Sequence, residues 1–204
     1  VDGKIYVIGG NTGDYSKQVW CYDPVNDEWS AKADMLSKRS AHTLTFFENR
    51  IWAIGGFNGG RMQTVESYDI ISDTWQNEPS LNITRPWATS WVWGDRIFVA
   101  GSNNGGTTII EVFNPTNQTW EQLANLPTTL ATSGSVVWDG KVYLFGGAEN
   151  SVTYSNKVYA ADLPAPAMNL YFKEGNATAE AELSTLGMAD GSVTLGQLAP
   201  DALA

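Results

Sequence analysis

The sequence predicts an all-β fold built from four copies of one small antiparallel sheet. A run of four apolar residues followed by glycine occurs four times. The first glycines are Gly9, Gly55, Gly101 and Gly146, so the steps are 46, 46 and 45 residues. An aromatic residue with a Trp seven residues later follows each of the first three sites. Repetition at this length is typical of propellers, solenoids and arrays.

The apolar run is the first element of each copy. Its four residues are mostly β-branched or aromatic, which is too short for a buried helix and typical of a strand covered on both faces. Glycine after the run allows positive φ and a sharp exit from the strand. The motif glycines are Gly9, Gly10, Gly55, Gly56, Gly101, Gly146 and Gly147, and Ser102 replaces the second glycine of the third copy.

A tight turn comes before each apolar run. Asp2-Gly3 and Asp139-Gly140 are strong hairpin pairs, because both central positions of a type I′ turn need positive φ. Glu48-Asn49 and Gly94-Asp95 are weaker forms at the same place. Each of the last three copies is therefore predicted to begin with a hairpin, whereas the first copy lacks the strand before its turn.

The aromatic pairs mark the third and fourth strands of each copy. Asp, Asn, Ser and Pro between the two aromatics are turn formers, so the third strand ends at the first aromatic and the fourth begins at the Trp. Four antiparallel strands in about 45 residues are typical of one propeller blade. The marker residues are Tyr22 with Trp29, Tyr68 with Trp75, Phe113 with Trp120, and Tyr159 alone in the fourth copy.

Together these motifs resemble the kelch motif, which combines an apolar run, Gly-Gly, and Tyr and Trp at fixed spacing. The resemblance covers residues 1–163 and implies a kelch-type β-propeller of the galactose oxidase/kelch class, with four four-stranded blades of which the first and last are incomplete. We expect these blades to be part of a larger propeller that has further blades upstream. The alternative is a closed ring of four blades.

Residues 164–204 differ in composition from the repeats. They begin with Pro164-Ala165-Pro166, are rich in Ala and Glu, and hold no repeat motif. We expect a linker or tail that leads to a further domain or an oligomerising stalk. It is either disordered or contains a short helix that starts at Thr194.

Charge and composition narrow the function classes. The 204 residues carry a net charge of −10, which argues against binding to nucleic acid or to anionic membranes. No apolar run approaches the ~20 residues of a membrane span. The single cysteine, Cys21, excludes an internal disulfide and is interpreted as a small buried residue. The low pI, scarce Lys and Ala-rich tail favour a secreted protein or one on a bacterial surface.

No catalytic residue, metal site or cofactor is predicted. His42 is the only histidine, whereas the copper site of galactose-oxidase-like enzymes needs two histidines and a cysteine-linked tyrosine. We expect a structural, hydrogen-bonding role for His42. The prominent carboxylates fall at repeat positions, where capping of turns is their expected role; they are Asp23, Glu66, Asp69, Asp73 and Glu111.

Binding is the function class that the sequence favours. In a kelch propeller, the loops joining strands 2 and 3 and the loops between blades share one face. Aromatic, Arg and Asn side chains on such a face are typical of protein or glycan recognition. An alternative is a fragment of a carbohydrate-active kelch enzyme, an oxidase or epimerase, with catalytic residues outside this chain. The candidate ligand-binding residues are Tyr15, Arg39, Phe57, Asn58, Arg61, Arg85, Trp87, Asn103 and Asn104.

Overall fold

A computed structural model describes residues 1–103, 107–149, 153–163, 172–176, 182–185 and 193–194. All helical or extended structure in these ranges is β-strand. The strands there are β1 Ile5–Ile8, β2 Val19–Asp23, β3 Glu28–Lys32, β4 Thr43–Phe47, β5 Arg50–Ile54, β6 Val65–Asp69, β7 Thr74–Glu78, β8 Thr89–Trp93, β9 Arg96–Ala100, β10 Ile109–Asn114, β11 Thr119–Asn125, β12 Leu130–Ala131, β13 Gly134–Trp138, β14 Lys141–Phe145, β15 Ala148–Glu149, β16 Thr153–Tyr154, β17 Lys157–Asp162, β18 Phe172–Asn176, β19 Glu182–Thr185 and β20 Val193–Thr194.

The strands form four successive antiparallel sheets, one for each sequence repeat. The sheets run β1-β2-β3, then β4-β5-β6-β7, then β8-β9-β10-β11, and finally β13-β14-β17-β18-β19-β20. A small additional sheet joins β12, β15 and β16. The predicted third and fourth strands are confirmed in the first three sheets, where each aromatic and its Trp are direct cross-strand partners; the pairs are Tyr22 with Trp29, Tyr68 with Trp75, and Phe113 with Trp120.

The first strands of three sheets lie side by side. β8 contacts β4 on one side and β13 on the other. A line of hydroxyl groups crosses these strands: Thr43 and Ser90 share a hydrogen bond of 2.7 Å, and Ser135 Oγ donates to the Ser90 carbonyl at 3.0 Å. The sheets therefore fan out from a common centre as blades, which confirms the predicted propeller architecture.

The apolar core lies between neighbouring sheets. Each boundary has its own cluster, because every strand at the middle of a sheet sends alternate side chains to opposite faces. The cluster between the first and second sheets consists of Ile8, Val19, Met35, Ile51, Ala53, Tyr68 and Trp75. Equivalent clusters fill the next two boundaries. Burial between sheets is therefore what holds successive repeats together.

The hairpin turns follow the predicted chemistry. Glu48 and Asn49 have φ values of 49° and 59°, and Asp139 and Gly140 have 49° and 69°, as a type I′ turn requires. Gly94 has a φ of 59°, whereas Asp95 is not in the left-handed region, which is typical of a type II′ turn. Each turn places the apolar strand beside the strand before it.

The last sheet differs from the prediction at its outer side. The sequence predicted no fourth strand there, yet β18 pairs with β17 along Lys157 to Ala161. Backbone pairing requires no aromatic marker, so the missing Trp did not prevent a strand. Val193 and Thr194 form β20 and pair with β19, and the residues of the short helix considered after Thr194 lie outside the described residues. Most of the remaining tail lies outside the described residues.

Candidate binding face

Two sets of loops meet at one end of the sheets. The second and third of these turns donate a backbone hydrogen bond to the loop between sheets: Gly56 N to the Arg85 carbonyl at 3.0 Å, and Ser102 N to the Leu130 carbonyl at 2.8 Å. A Cβ on Gly55 would lie 2.5 Å from the Arg85 oxygen, and one on Gly101 would lie 2.3 Å from the Leu130 oxygen. Gly55 and Gly101 are therefore required as glycine, because the two loops approach too closely there for any side chain.

Three aromatic rings from different loops contact one another on this face. The ring centroids of Tyr15 and Phe57 are 5.8 Å apart with planes tilted by 67°, and those of Phe57 and Trp87 are 5.8 Å apart with planes tilted by 37°. Tyr15 and Phe57 are half-buried, and Trp87 is 36% exposed. We call these three side chains the aromatic row. The structure thus brings together three of the predicted binding residues.

The backbone at Trp87 is unusual. Its φ is 57°, a left-handed conformation that is rare for a bulky side chain. Ala41 and Thr132, at the matched positions of the neighbouring repeats, share this conformation with φ values of 51° and 57°. Trp87 N donates to the Ala41 carbonyl at 2.7 Å, and Thr132 N donates to the Trp87 carbonyl at 2.9 Å. These bonds hold the strained residue and fix the position of its indole ring.

Polar side chains surround the aromatic row. Asn58 and Arg61 are exposed on the loop that carries Phe57. Asn103 is half-buried, and its N–H donates to the Pro86 carbonyl at 3.0 Å. Lys38 forms an exposed ion pair of 2.6 Å with Asp14, and this hydrogen bond lowers the pKa of Asp14. Asn104, also predicted to bind ligand, lies outside the described residues.

Arg39 and Arg85 are not on the exposed face, and the prediction of their position there is corrected. Both side chains are fully buried. Arg39 pairs with Glu66 at 2.5 Å and also donates to the Gly55 carbonyl at 2.9 Å. Arg85 pairs with Glu111 at 3.0 Å. Burial lowers the pKa of both guanidinium groups, and the facing carboxylates counteract that effect.

The carboxylates of Glu66 and Glu111 connect loops to sheets. The second oxygen of Glu66 accepts the Leu36 N–H at 2.8 Å, and that of Glu111 accepts the Asn82 N–H at 2.7 Å. Turn capping was therefore the wrong role for both residues. Turn capping is confirmed for Asp23 and Asp69, which follow the third strands of the first two sheets. Asp23 accepts the N–H of Val25 at 3.0 Å, and Asp69 accepts that of Ile71 at 2.9 Å.

His42 is wedged between the first two glycine turns. A Cβ on Gly9 would lie 3.0 Å from its Cε1 atom, and its Nδ1 is buried without a hydrogen-bond partner in the described part of the chain. Burial and then the charge of Arg39 lower its pKa to about 4, so the imidazole is neutral at pH 7. No three His, Cys, Asp or Glu side chains in the described ranges are grouped to hold a metal ion. Cys21 is buried, as expected.

Repeated antiparallel sheets that fan out from one centre define the class of this protein as a β-propeller. A kelch motif model matches residues 1–36 and 38–82. With the glycine turns and aromatic pairs in register across the sheets, this match shows kelch repeats in the first two sheets and supports a kelch-repeat family for the chain. No helix in the described residues has the length and apolar character to cross a membrane.

The chain is also similar to individual known proteins. Kelch-like protein 25 of Xenopus tropicalis is 46% identical over 48 residues, which are 22% of this chain and 8% of that protein. The human and mouse proteins of the same name match equally. The solved structure of YjhT has a TM-score of 0.71 at 16% identity and covers 93% of this chain. This chain spans 64% of YjhT, and the likeness shows the fold alone.

Proposed function

We propose that this chain is a non-catalytic recognition platform whose ligand binds across the aromatic row. The observation that carries the proposal is the meeting of Tyr15, Phe57 and Trp87 from three different loops. Rigid, partly exposed aromatic side chains supply large contact area at low entropic cost, which is why they dominate binding sites. Trp87 supports this further, since its backbone stays in a strained conformation while its indole ring remains accessible.

A protein ligand fits the row better than a glycan. The planes of neighbouring rings are tilted by 67° and 37°, so neither neighbouring pair forms one flat surface on which a sugar chain stacks. An uneven apolar surface of this kind suits the side chains of a peptide or protein loop. Exposed Asn58 and Arg61, on the loop that carries Phe57, offer hydrogen bonds to backbone carbonyls of such a ligand.

The test is selection of peptides from a display library on the immobilised chain, with a glycan array in parallel. Trp87→Thr is the critical variant, because Thr132 occupies the matched position with the same φ. Ile71→Ala is the control, since Ile71 is 92% exposed in the turn at the opposite end of the sheet. We expect selected peptides to bind Trp87→Thr at least tenfold more weakly and Ile71→Ala unchanged. Equal binding to all three proteins, or binding on the glycan array alone, contradicts the proposal.

The carbohydrate-active alternative concerns catalytic residues outside this chain and stays a prediction. The same holds for a secreted or bacterial-surface location. Copper or another metal bound by a longer form of the protein would favour the enzyme. Peptide binding by the present chain would favour the platform.

A further inference from the structure

The loop that carries Phe57 has an Asn-Gly pair at its tip. Phe57 and Arg61 form an isolated bridge at the base of this loop, and the Asn58 N–H donates to the Gly60 carbonyl at 3.1 Å. The four residues after Phe57 are exposed. We call residues 57–61 the row loop, because Phe57 belongs to the aromatic row. Its tip is therefore open to solvent while its base lies on the binding face.

An asparagine before glycine can react with its own backbone, and asparagine is a chemically labile residue. The backbone nitrogen of the next residue attacks the side-chain amide carbon, and glycine has no Cβ to hinder that approach. Gly59 N–H donates no hydrogen bond in the part of the chain that the structure describes. Gly13 has the matched position, since Asn11 and Tyr15 close their loop by the same bridge, but its N–H donates to Asn11 Oδ1 at 2.9 Å. The attacking nitrogen is thus free in the row loop alone of these two loops.

The row loop also has room to bring the reacting atoms together. A Cβ added to Gly59 would lie 4.0 Å from the Tyr15 ring as its nearest neighbour, and one added to Gly60 would meet open space. The amide side chain of Asn58 forms no hydrogen bond within the described ranges. Because few contacts hold the tip, the backbone there can rotate at little cost.

Asn82 shows the opposite situation in the same chain. Its Nδ2 donates to the Trp120 carbonyl at 2.8 Å, and its N–H donates to Glu111 at 2.7 Å. The next residue, Ile83, is β-branched and crowds the nitrogen that would attack. Asn82 is therefore held away from this reaction and serves as an internal control.

We propose that Asn58 is a site of spontaneous succinimide formation, a modification that changes the binding face with time. The bond from Gly59 N to Asn58 Cγ forms, the bond from Cγ to the amide nitrogen breaks, and ammonia leaves with the Gly59 proton. Water then opens the ring. Cleavage between Gly59 N and Cγ gives aspartate, and cleavage between that nitrogen and the backbone carbonyl carbon gives isoaspartate. Solvent water is the only other reactant.

The effect of this modification on binding rests on the proposed function. Both products place a carboxylate on the loop of Arg61, which forms no ion pair in the described residues, whereas the other four arginines do. The isoaspartate also adds a methylene group to the backbone between Phe57 and Arg61. The Phe57 ring lies 5.8 Å from both Tyr15 and Trp87, so a longer loop displaces the central ring of the aromatic row. We expect the isoaspartate form to bind the ligand more weakly.

Peptide mapping tests the modification without any ligand. The tryptic peptide 51–61 contains Asn58 and no other amide side chain. The folded 204-residue protein and the free peptide are kept at neutral pH and physiological temperature, and mass spectrometry follows the aspartate and isoaspartate forms. We expect Asn58 in the folded protein to react within about tenfold of its rate in the free peptide, and at least tenfold faster than Asn82. A folded-state rate more than tenfold below that of the peptide overturns the proposal, and so does a smaller lead over Asn82.

Binding by aged protein tests the consequence. Peptides selected on the fresh chain are measured against fresh and aged samples of the natural sequence and of Asn58→Thr, which introduces the residue of the matched Thr12. Asn104-Gly105, the other Asn-Gly pair of the sequence, is present in both proteins, so its ageing affects both alike. We expect the isoaspartate fraction to bind at least threefold more weakly, and Asn58→Thr to keep its own starting affinity throughout.

An aged natural chain that binds as well as the fresh one, or an equal loss in Asn58→Thr, overturns the link between Asn58 and the binding face. If the fresh chain selects no peptide, the proposed function fails instead. In that case the peptide map still decides whether Asn58 is the modification site.

Discussion

Nη2 of Arg39 lies 2.5 Å from Oε1 of Glu66, in a place where neither side chain is exposed. The arginine comes from the loop between the first two sheets, and the glutamate belongs to β6. Arg85 and Glu111 repeat this relationship one sheet further on. Each pair therefore connects the loop that carries the binding face to the sheet beneath it, so the stability of the sheets and the shape of the face depend on the same contacts.

Removing one partner of this buried pair is expected to destabilise the fold strongly. Glu66→Leu leaves Arg39 charged in an apolar place and leaves the Leu36 N–H without its acceptor. We expect the free energy of unfolding to fall by about 3–5 kcal/mol, measured by urea denaturation. The control is Asp14→Asn, which removes the charge of the exposed pair with Lys38 and is expected to cost far less. Similar costs for both variants contradict a special role of the buried pair.

The repeat Trp residues test the importance of inter-sheet packing. Trp75 is 9% exposed and fills the boundary with the first sheet, so Trp75→Ala is expected to cost roughly 3–5 kcal/mol of unfolding free energy. Trp29 occupies the same repeat position but is 55% exposed. Because much of its surface is already in water, Trp29→Ala is expected to cost less than about half as much. Equal shifts in thermal melting would show that packing between sheets is not the source of the effect.

The sheet order could be predicted because its signals are local and repeated. The sequence separation between Tyr68 and Trp75 was enough to predict a turn and a strand pairing, and both recur in the first three sheets. The burial of Arg39 could not be predicted by the same reasoning. Its partner Glu66 is 27 residues away, and an arginine in a loop is usually exposed.

A signal for the buried pairs was nevertheless present in the sequence. Arg39 and Arg85 recur at the repeat step, as do Glu66 and Glu111, and at the last boundary both positions change together, to Leu130 and Tyr159. Such joint change indicates contact between two positions. The three residues of the aromatic row are among the binding residues predicted from the sequence. The contacts among their rings depend on how the sheets fan out, which no local pattern encodes.

The turn before β5 offers a stabilising substitution. Glu48 has a φ of 49°, and the matched turns place Asp2 and Asp139 in this conformation. Asp is more favourable than Glu at left-handed positions because its short side chain bonds the local backbone. Glu48→Asp is therefore expected to raise the free energy of unfolding by about 0.5–1 kcal/mol, with a matching rise in melting temperature. The reverse change, Asp139→Glu, is the control and is expected to lower the free energy of unfolding and the melting temperature. A stability change in the same direction for the two variants would contradict the explanation.

His42 is expected to make the protein sensitive to mild acid. Its pKa is lowered to about 4 in the folded state from an ordinary value near 6.5, so the unfolded chain binds more protons between these values. Stability is therefore full above about pH 6.5 and falls as the pH drops toward 4, by about 3 kcal/mol from this group. The variant His42→Ser introduces the residue type that the fourth repeat has at the matched position, Ser133. We expect it to lose the contribution of His42 to the fall in unfolding free energy, measured by urea titrations from pH 7 to 4. An unchanged decline in His42→Ser would assign the acid sensitivity to the carboxylates instead.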